Sequence, residues 1–367
     1  MNYHPPHISR LMSEIPGAPT AELVVSPKTV HDVVAVLHHA SDKGLAVQVM
    51  GGGSHSGYGT PPEPDIVMSM DRLGEVEAWE VDDLTLVVGA GARVSAIEEM
   101  LGEEKQTAVL PERPGSSTIG GVIASGRSSL RRHRLYSTRE RLLETTLVTG
   151  DGRIVRSGGR VVKNVTGYDL PRLQVGAFGS LGVIVSVCLK LWPVPEHGAT
   201  VRISDRDQAS AVTRPLAVLE DEEGISVLVW GTEETVSAMC ERLDGSVSEG
   251  LDWPSDPTGP FRWSLRVPPA LTDEAISRIP SAWSFLAVHG VGEIRAGSDS
   301  SDGASDLRDW AESEGGGLVV VDQPHATGDD RFEPWGAEPP ALSLQRDLIA
   351  QFDPARVINP GRLPAGL

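Results

Sequence analysis

The sequence predicts an α+β protein of two domains, and three observations support this fold class. The chain has 367 residues, 40% of them hydrophobic, which is enough for two domains with their own apolar cores. Strand-like and helix-like segments alternate through residues 20–110, and an Asp-Gly turn separates two apolar runs in residues 141–156. After residue 196 both the pattern of elements and the charge balance change, which predicts a boundary there.

Apolar spacing and turn residues predict the elements of the first part. A helix opens at Pro27, carries apolar residues at helical spacing, and ends at Gly44. Asp151 and Gly152 form the turn of a β-hairpin. Further strands are predicted at residues 46–50, 65–70, 85–88 and 183–191, and a helix at residues 94–101.

The second part reads as a mixture of strands, helices and loops. Strands are predicted at residues 224–230 and 283–291, helices at residues 235–243, 272–279 and 342–352, and a loop rich in Ser and Asp at residues 298–306. Residues 322–340 are rich in Pro, Gly and acidic side chains and predict a second long loop. The chain contains no internal repeat.

Composition limits the class of protein. The two cysteines, Cys188 and Cys240, allow at most one disulfide and no iron–sulfur cluster within the chain. The N-terminus lacks the layout of a signal peptide, and the apolar run at residues 181–189 is far shorter than the roughly 20 residues that cross a membrane. We therefore expect a cytoplasmic protein without direct membrane insertion.

The charge is unevenly distributed. The net charge is −19; residues 1–196 carry 19 Lys and Arg against 22 Asp and Glu, whereas residues 197–367 carry 13 against 29. Such an acidic second part argues against binding of nucleic acid and of anionic lipid. Solubility explains the acidity more simply than a dedicated basic partner.

The first chemical motif is a glycine-rich loop at residues 51–59, directly after a strand. Successive glycines expose backbone N–H groups and let an anion approach, which fits a phosphate site. The motif does not open a helix as a Rossmann fingerprint does, and it lacks the Lys-Ser/Thr pair of a P-loop. Taken alone, the loop is equally well explained as a flexible surface segment.

The second motif spans residues 111–125. Thr118 precedes Gly120 and Gly121 at the start of an apolar run, which predicts a capped helix N-terminus that favours anions. The alternative is a tightly packed helix whose glycines allow close approach of another element.

Three further segments carry polar or glycine-rich patterns. Six arginines fall within residues 127–141, where they fit a phosphate or carboxylate site or, equally, a solvated loop or protein interface. In residues 158–169, Asp169 could cap the helix beginning at Leu170, but the polar side chains between apolar runs also suit a ligand. Residues 176–184 form a glycine turn that leads into a buried strand.

Taken together, the order of these segments resembles a known family. GGGS, PGSSTIGG, a basic loop, GGRVVKNVTGYD and GAFGSLGVI follow one another as in the FAD-binding domain of the vanillyl-alcohol oxidase superfamily. The family it most resembles is the FAD-binding E subunit of bacterial glycolate oxidase. The final helix and the NPGR turn at residues 359–362 agree with that family, whereas residues 197–333 show little recognisable pattern.

This resemblance implies a two-lobed, PCMH-type FAD-binding domain with a smaller α+β cap domain. It places the FAD-binding domain at residues 1–196, the cap at residues 197–341, and a C-terminal helix and turn that return to the FAD domain at residues 342–367. The FAD contacts implied by the resemblance are Gly51, Gly52, Gly53, Ser54, His55, Pro111, Gly115, Thr118, Ile119, Gly120, Gly121, Ser125, Asn164, Tyr168, Gly182, Val183 and Ile184. Catalytic residues are not assigned.

The resemblance also implies an activity and partners. The family oxidises glycolate and related 2-hydroxy acids, and works with a second flavin subunit and an iron–sulfur subunit, through which the complex could associate with a membrane. Two alternatives stay open: a self-sufficient FAD oxidase that reduces oxygen, and a flavin-binding scaffold without catalysis. His289 and Arg295, in a predicted cap strand and turn, are interpreted as structural.

Two local features qualify the resemblance. Ser129 and Ser137 stand where the family has glycines, so a positive φ at either would strain the basic loop. Some members of the superfamily link FAD covalently to a histidine in the first loop. The alignment puts Ser54 rather than His55 at that position, so we expect FAD to be bound without a covalent bond.

Overall fold

The computed structural model describes residues 23–112, 114–160, 168–324 and 331–367. It contains a small parallel sheet, a five-stranded antiparallel sheet and an eight-stranded antiparallel sheet, with helices packed against them. This is the mixed α+β architecture that the sequence predicts. Within the described ranges, no helix combines the length and apolarity needed to cross a membrane.

The first lobe is built on the small parallel sheet. Its elements are β1 (Leu23–Val25), α1 (Val30–Lys43), β2 (Val47–Met50) and β3 (Ile66–Ser69), with the strands in the order β1-β3-β2. Helix α1 starts at Val30 rather than near Pro27 because Thr29 and Asp32 form a capping box there. It ends, as predicted, at Gly44, whose φ is 66°.

The second lobe is built on the five-stranded sheet. Its strands are β4 (Val76–Glu80), β5 (Thr85–Gly89), β7 (Leu142–Val148), β8 (Ile154–Gly158) and β9 (Val183–Lys190), in the order β4-β5-β9-β7-β8. Between them lie α2 (Val94–Gly102), β6 (Gln106–Thr107), α3 (Ile119–Ser125), α4 (Arg132–Leu135), α5 (Thr138–Arg141) and α6 (Leu170–Leu173), and β10 (Trp192–Pro193) pairs with β6. Strands β7 and β8 form the predicted hairpin.

The eight-stranded sheet is formed entirely by residues 197–322. Its strands are β11 (His197–Ile203), β12 (Ala217–Asp221), β13 (Gly224–Gly231), β14 (Gly245–Glu249), β15 (Phe261–Arg266), β16 (Ser284–Val288), β17 (Glu293–Ser298) and β18 (Gly317–Asp322), in the order β14-β11-β13-β12-β16-β17-β15-β18. Three helices occur in the same part of the chain: α7 (Glu233–Cys240), α8 (Thr272–Arg278) and α9 (Ala304–Ser313). Short 3-10 segments lie there at Arg206–Ala211 and Pro269–Leu271, and another lies near the end of the chain at Pro364–Gly366.

Two predictions for this part need correction. The predicted strand at residues 283–291 ends at Val288, because Gly290 and Gly292 adopt positive φ values of 81° and 66° and turn the chain into β17. The loop predicted at residues 298–306 is shorter than expected, since α9 begins at Ala304 after Gly303, whose φ is 81°.

The end of the chain returns to the first lobe. Helix α10 (Leu342–Phe352) has the predicted bounds and packs on a cluster that includes Leu181 and Leu367. Ile358 then pairs in parallel with Val47, so residues 357–359 extend the small sheet along the free edge of β2. Because the two segments run parallel, the turn after residue 359 lies beside the glycine-rich loop that follows β2.

Candidate functional site

A continuous cleft runs from the five-stranded sheet to the eight-stranded sheet, and it consists of three adjoining cavities. The strand cavity, about 410 Å³, is lined by Met70, Gly182 and Ile184 among others. The glycine cavity, about 540 Å³, is lined by the loop at residues 51–56. The arginine cavity, about 620 Å³, is lined by the side chains of Arg127, Arg262, Arg266 and Arg295 with their neighbours.

Shared walls join the three cavities. Thr118, Gly121 and Phe178 line both the strand cavity and the glycine cavity. His55 and Ser125 line both the glycine cavity and the arginine cavity. An elongated ligand can therefore extend from Ile184 to the eight-stranded sheet without leaving the cleft.

The first glycine loop is shaped by close contact with the second. A Cβ atom on Gly52 would overlap the carbonyl oxygen of Ser116, and one on Gly51 would overlap the Thr118 hydroxyl. The Ser54 and Ser117 hydroxyl oxygens are 2.9 Å apart, and Ser116 donates a hydrogen bond to the Gly52 carbonyl at 2.7 Å. Glycine is thus required at positions 51 and 52 for the packing of the two loops, whichever ligand they bind.

The residues of the same loop line the glycine cavity, and several of their backbone N–H groups have no protein acceptor among the described residues. Within the described part of the chain, the backbone N–H groups of residues 52–55 donate to no protein acceptor. Successive unpaired N–H groups form a concave anion site of the kind that holds phosphates. The loop therefore fits the pyrophosphate of FAD.

The N-terminus of α3 differs from the expectation. Thr118 caps it as predicted by accepting from the Gly121 N–H at 3.3 Å. However, the Ile119 and Gly120 N–H groups donate to the Ala92 and Ala90 carbonyls at 2.9 and 2.8 Å. The start of α3 therefore brings Gly120 and Gly121 to the cleft, where the lack of side chains leaves room, but the N–H groups of Ile119 and Gly120 are already paired.

The sequence-predicted FAD residues fall into three groups. Those that line the cleft are Gly51, Gly52, Gly53, Ser54, His55, Thr118, Gly120, Gly121, Ser125, Gly182 and Ile184. Pro111, Ile119 and Val183 are buried and Gly115 is exposed, and none of these four lines the three cavities. Asn164 lies outside the described residues, and Tyr168, 92% exposed, is not brought to the cleft.

The basic loop is unstrained at the two serines. Ser137 has a φ of −80°, and Ser129 is not among the residues with positive φ. The carboxylate of Glu112 accepts hydrogen bonds from the Ser129 hydroxyl and from Arg131 Nε, the latter at 2.9 Å. Asp169 pairs with Arg172 at 2.8 Å instead of capping α6 with its side chain.

An ion-pair network forms one wall of the arginine cavity. Asp256 accepts from Arg127 and, at 2.7 Å, from Arg295 Nη1. Burial alone would raise the pKa of Asp256, but these two guanidiniums outweigh it and hold the pKa below its usual range.

Glu293 forms the second half of this network. Its carboxylate accepts from Arg132 Nη1 at 2.5 Å and lies 3.3 Å from Arg295 Nε. Burial would raise its pKa, but Arg295, Arg266 and Arg132 keep the pKa of Glu293 low. Both carboxylates lining the cavity are therefore ionised and already paired.

His55 stands at the junction of the glycine and arginine cavities as a neutral imidazole. Its Nδ1 lies 2.9 Å from the Ser54 hydroxyl, and its Nε2 lies 3.5 Å from Arg127 Nη1. Burial and the nearby arginines, Arg127 first, lower the pKa of His55 to about 3. The ring is available there as a hydrogen-bond partner without a charge.

Arg266 lines this cavity without a direct ion pair in the described ranges, although its charge helps to lower the pKa of Glu293. It projects from β15 beside Arg262 and Ser264, which alternate with the buried Trp263 and Leu265. Within the described ranges, its guanidinium has no carboxylate partner, whereas Arg262 pairs with Asp322. A small anion entering the arginine cavity would meet this guanidinium.

Sequence reasoning missed the lining residues Tyr58 and Phe178, against which Trp335 packs from outside the three cavities. Tyr58, Phe178 and Trp335 form an aromatic cluster, with ring centroids 4.9 Å apart for Tyr58–Phe178 and 5.4 Å for Phe178–Trp335. Asp256 and Arg266 were missed as well. The alternation along β15 is a signal that could have pointed to Arg266, because every second residue of a strand faces the same side.

Comparison with known proteins shows what the chain is similar to. Residues 21–158 match the FAD binding domain family. The chain is 29% identical to glycolate oxidase subunit GlcE of Escherichia coli over 314 residues, covering 79% of this chain and 84% of that protein. It is 33% identical to the D-lactate dehydrogenase of Archaeoglobus fulgidus over 181 residues, covering 48% of this chain and only 40% of that relative.

The fold agrees with a solved structure. An alkyldihydroxyacetonephosphate synthase superposes with a TM-score of 0.66 at 15% identity, covering 93% of this chain and 76% of that one. The likeness extends over nearly the whole chain, so it includes both the FAD lobes and the eight-stranded sheet. These matches show that residues 21–158 form an FAD-binding domain, that the chain has the PCMH-type fold, and that it is similar to glycolate oxidase subunit GlcE over most of its length.

Proposed function

We propose that this chain is the FAD-binding subunit of a glycolate oxidase-type complex. In this proposal it oxidises a small 2-hydroxy acid, such as glycolate to glyoxylate, and passes the electrons to partner subunits. The observation that carries the proposal is the match to subunit GlcE, which extends over 84% of that protein and crosses from the FAD lobes into the eight-stranded sheet. Other relatives match about half of this chain.

The arrangement of the cleft supports an assignment of roles. The strand and glycine cavities would hold the nucleotide part of FAD, with residues 52–55 donating to the pyrophosphate and Ile184 beside the adenosine. Bound FAD supplies the two-electron acceptor for the hydroxyl-bearing carbon. The arginine cavity, joined to the glycine cavity at His55 and Ser125, would receive the substrate.

Charge in the arginine cavity suits a hydroxy acid. Arg266 would anchor the substrate carboxylate, because it is the guanidinium there without an acidic partner in the described ranges. The surrounding arginines favour the deprotonated form of a nearby hydroxyl, just as they keep His55 neutral. Neutral His55 could therefore accept a hydrogen bond from the substrate hydroxyl.

The proposed partners are a second flavin subunit and an iron–sulfur subunit. Two cysteines cannot supply the four thiolates that a cluster usually needs, so single electrons would leave through another chain. In the described ranges, no group of His, Cys, Asp or Glu is arranged to hold a metal ion. The relatives named as glycolate oxidase subunits support a multi-subunit assembly.

Anaerobic single-turnover reduction tests the proposal. The FAD-loaded chain would be mixed with glycolate, D-lactate or D-2-hydroxyglutarate while flavin absorbance is followed. Bleaching by at least one of them supports substrate oxidation on this subunit. A flavin that stays oxidised with all three contradicts it, provided that dithionite bleaches the same sample.

One observation favours a second candidate function. Asp256 and Glu293, the carboxylates that line the arginine cavity, are both engaged by arginines, so neither is free to accept a substrate proton. A flavin-binding scaffold that stabilises catalytic partners would need no such base. That function predicts no bleaching of the isolated chain, but loss of partner activity when this chain is removed from the purified complex.

A further inference from the structure

The C-terminal turn brings a buried cation into the glycine cavity. Arg362 is 6% exposed and lines that cavity together with Gly52 and Gly53. Its Nη2 donates to the His55 carbonyl at 2.6 Å, while its Nε has no hydrogen-bond partner within the described ranges. Its guanidinium lies 5.7 Å from the centre of the Phe178 ring.

Strand pairing explains why Arg362 lies there. The Val47 N–H donates to the Val357 carbonyl at 2.7 Å, and the Asn359 N–H donates to the Val47 carbonyl at 2.8 Å. Because residues 357–359 run parallel to β2, both segments leave the sheet at the same edge. The glycine loop follows β2 there, and Arg362 follows Asn359.

The side chain of Asn359 fixes this turn. Its Oδ1 accepts from the Val49 N–H at 3.0 Å, and its Nδ2 donates to the Phe178 carbonyl at 2.8 Å. Asn359 has a φ of 45°, a conformation that asparagine tolerates better than most residues. The position of Arg362 is therefore set by the sheet and by two side-chain hydrogen bonds.

The charge of Arg362 is not compensated by the protein. Burial lowers the pKa of Arg362 to about 10, with no carboxylate opposing that effect. By contrast, the buried Arg131 and Arg308 pair with Glu112 and Glu333 at 2.9 and 3.1 Å. The described residues that line the glycine cavity include no Asp or Glu. A buried cation with an unused donor in such a cavity calls for an anionic ligand.

We propose that Arg362 binds the pyrophosphate of FAD and, with the free N–H groups of residues 52–55, forms the anion site of the cleft. The glycine loop, which follows β2, supplies backbone N–H donors. The C-terminal turn, which follows residues 357–359 beside β2, supplies the positive charge of the Arg362 guanidinium. The proposal rests on the binding of FAD and not on substrate oxidation. A binding assay therefore tests it independently of whether the chain turns over any hydroxy acid.

The test compares three ligands on three proteins. The apoproteins of the wild type, Arg362→Lys and Arg362→Met would be titrated with FAD, ADP and riboflavin, followed by flavin fluorescence and, for ADP, by calorimetry. A charge-assisted hydrogen bond contributes about 1.5–3 kcal/mol, so Arg362→Met should weaken FAD and ADP by about tenfold or more. Riboflavin, which has no phosphate, should bind all three proteins equally. Arg362→Lys should recover part of the affinity for FAD and ADP that Arg362→Met loses.

Controls separate binding from folding. Arg356→Met alters an exposed arginine of the same segment that contacts the Gly366 carbonyl, and should leave all three affinities unchanged. Arg362→Met removes an uncompensated buried charge, so its apoprotein should melt no lower than the wild-type apoprotein. If Arg362→Met does not fold, Arg362→Gln in the same titrations decides the question.

Two results would overturn the proposal. Wild-type affinity of the folded Arg362→Met or Arg362→Gln protein for FAD and ADP would show that the guanidinium does not contact the phosphates. An equal loss of riboflavin and FAD affinity, with ADP unaffected, would place Arg362 against the flavin ring instead.

Discussion

Arg132 Nη1 lies 2.5 Å from Glu293 Oε2, and this ion pair joins the basic loop of the FAD lobes to β17 of the eight-stranded sheet. The Glu293 side chain is 9% exposed, so removing its partner leaves a buried carboxylate short of one donor. Breaking a buried pair from one side costs about 3 kcal/mol or more. We expect Arg132→Met to lower the free energy of unfolding by about that amount. The loss should be somewhat smaller because Arg295 still contacts the Glu293 carboxylate.

Denaturant unfolding of the FAD-free protein measures this effect. Arg172→Met, which breaks an exposed pair with Asp169 beside α6, is the matched control and should change stability by at most about 0.5 kcal/mol. Equal destabilisation by the two substitutions would contradict the role given to the Arg132–Glu293 pair.

His55 predicts a pH dependence of stability. Burial and Arg127 lower the pKa of His55 to about 3, whereas an unfolded histidine titrates near 6.5. Between these values the unfolded chain binds the proton and the folded chain does not, so stability falls as pH decreases. This group alone gives a slope approaching 1.4 kcal/mol per pH unit.

The test is the unfolding free energy of the apoprotein between about pH 6.5 and about pH 5.2, a window above the usual pKa range of Asp and Glu. His55→Gln should flatten the slope relative to the wild type. His39→Gln, on α1, serves as the control and should keep the wild-type slope. A slope unchanged in His55→Gln would show that the imidazole is protonated in the folded chain.

Gly121 tests the position of FAD in the cleft. It lines both the strand and glycine cavities, and a Cβ atom there would meet only the Thr118 hydroxyl at 3.2 Å. Gly121→Asp should therefore fold but place a carboxylate against the pyrophosphate, and FAD retention should be lost. Gly102→Asp, at the open end of α2, is the control. Full FAD content in Gly121→Asp would place the cofactor elsewhere.

Arg266 tests the proposed substrate site. Arg266→Met should lower kcat/KM for a 2-hydroxy acid by about tenfold to a hundredfold, through loss of a charge-assisted contact to the carboxylate. FAD affinity should not change, because Arg266 does not line the glycine or strand cavity. Unchanged kcat/KM in an FAD-loaded variant would remove Arg266 from substrate binding.

Local patterns predicted much of the FAD lobes. Helix α1 and its end at Gly44, the β7–β8 hairpin and the cap of α3 by Thr118 depend on neighbouring residues, so periodicity and turn chemistry were sufficient. The start of α1 was placed too early because the capping box at Thr29 outweighed the preference of Pro27 for a first turn.

The rest of the site depends on contacts between distant segments. Arg362 reaches the glycine cavity only because residues 357–359 pair with β2, some 310 positions away in sequence, as the Val49–Asn359 hydrogen bond shows. The network at Asp256 and Arg295 joins the basic loop to the eight-stranded sheet in the same way. No local pattern encodes such pairing, so the partners of the six clustered arginines could not be assigned from the sequence.

The flavin content of the purified chain tests the central claim most directly. The protein would be incubated with excess FAD, desalted, and its flavin-to-protein ratio determined by absorbance, before acid precipitation and mass spectrometry of the chain. We predict one FAD per chain, released by acid into the supernatant, with the mass of His55-containing peptides unmodified. A well-folded, colourless protein that takes up no FAD would contradict the account. Flavin that stays in the acid pellet, attached to His55, would contradict non-covalent binding.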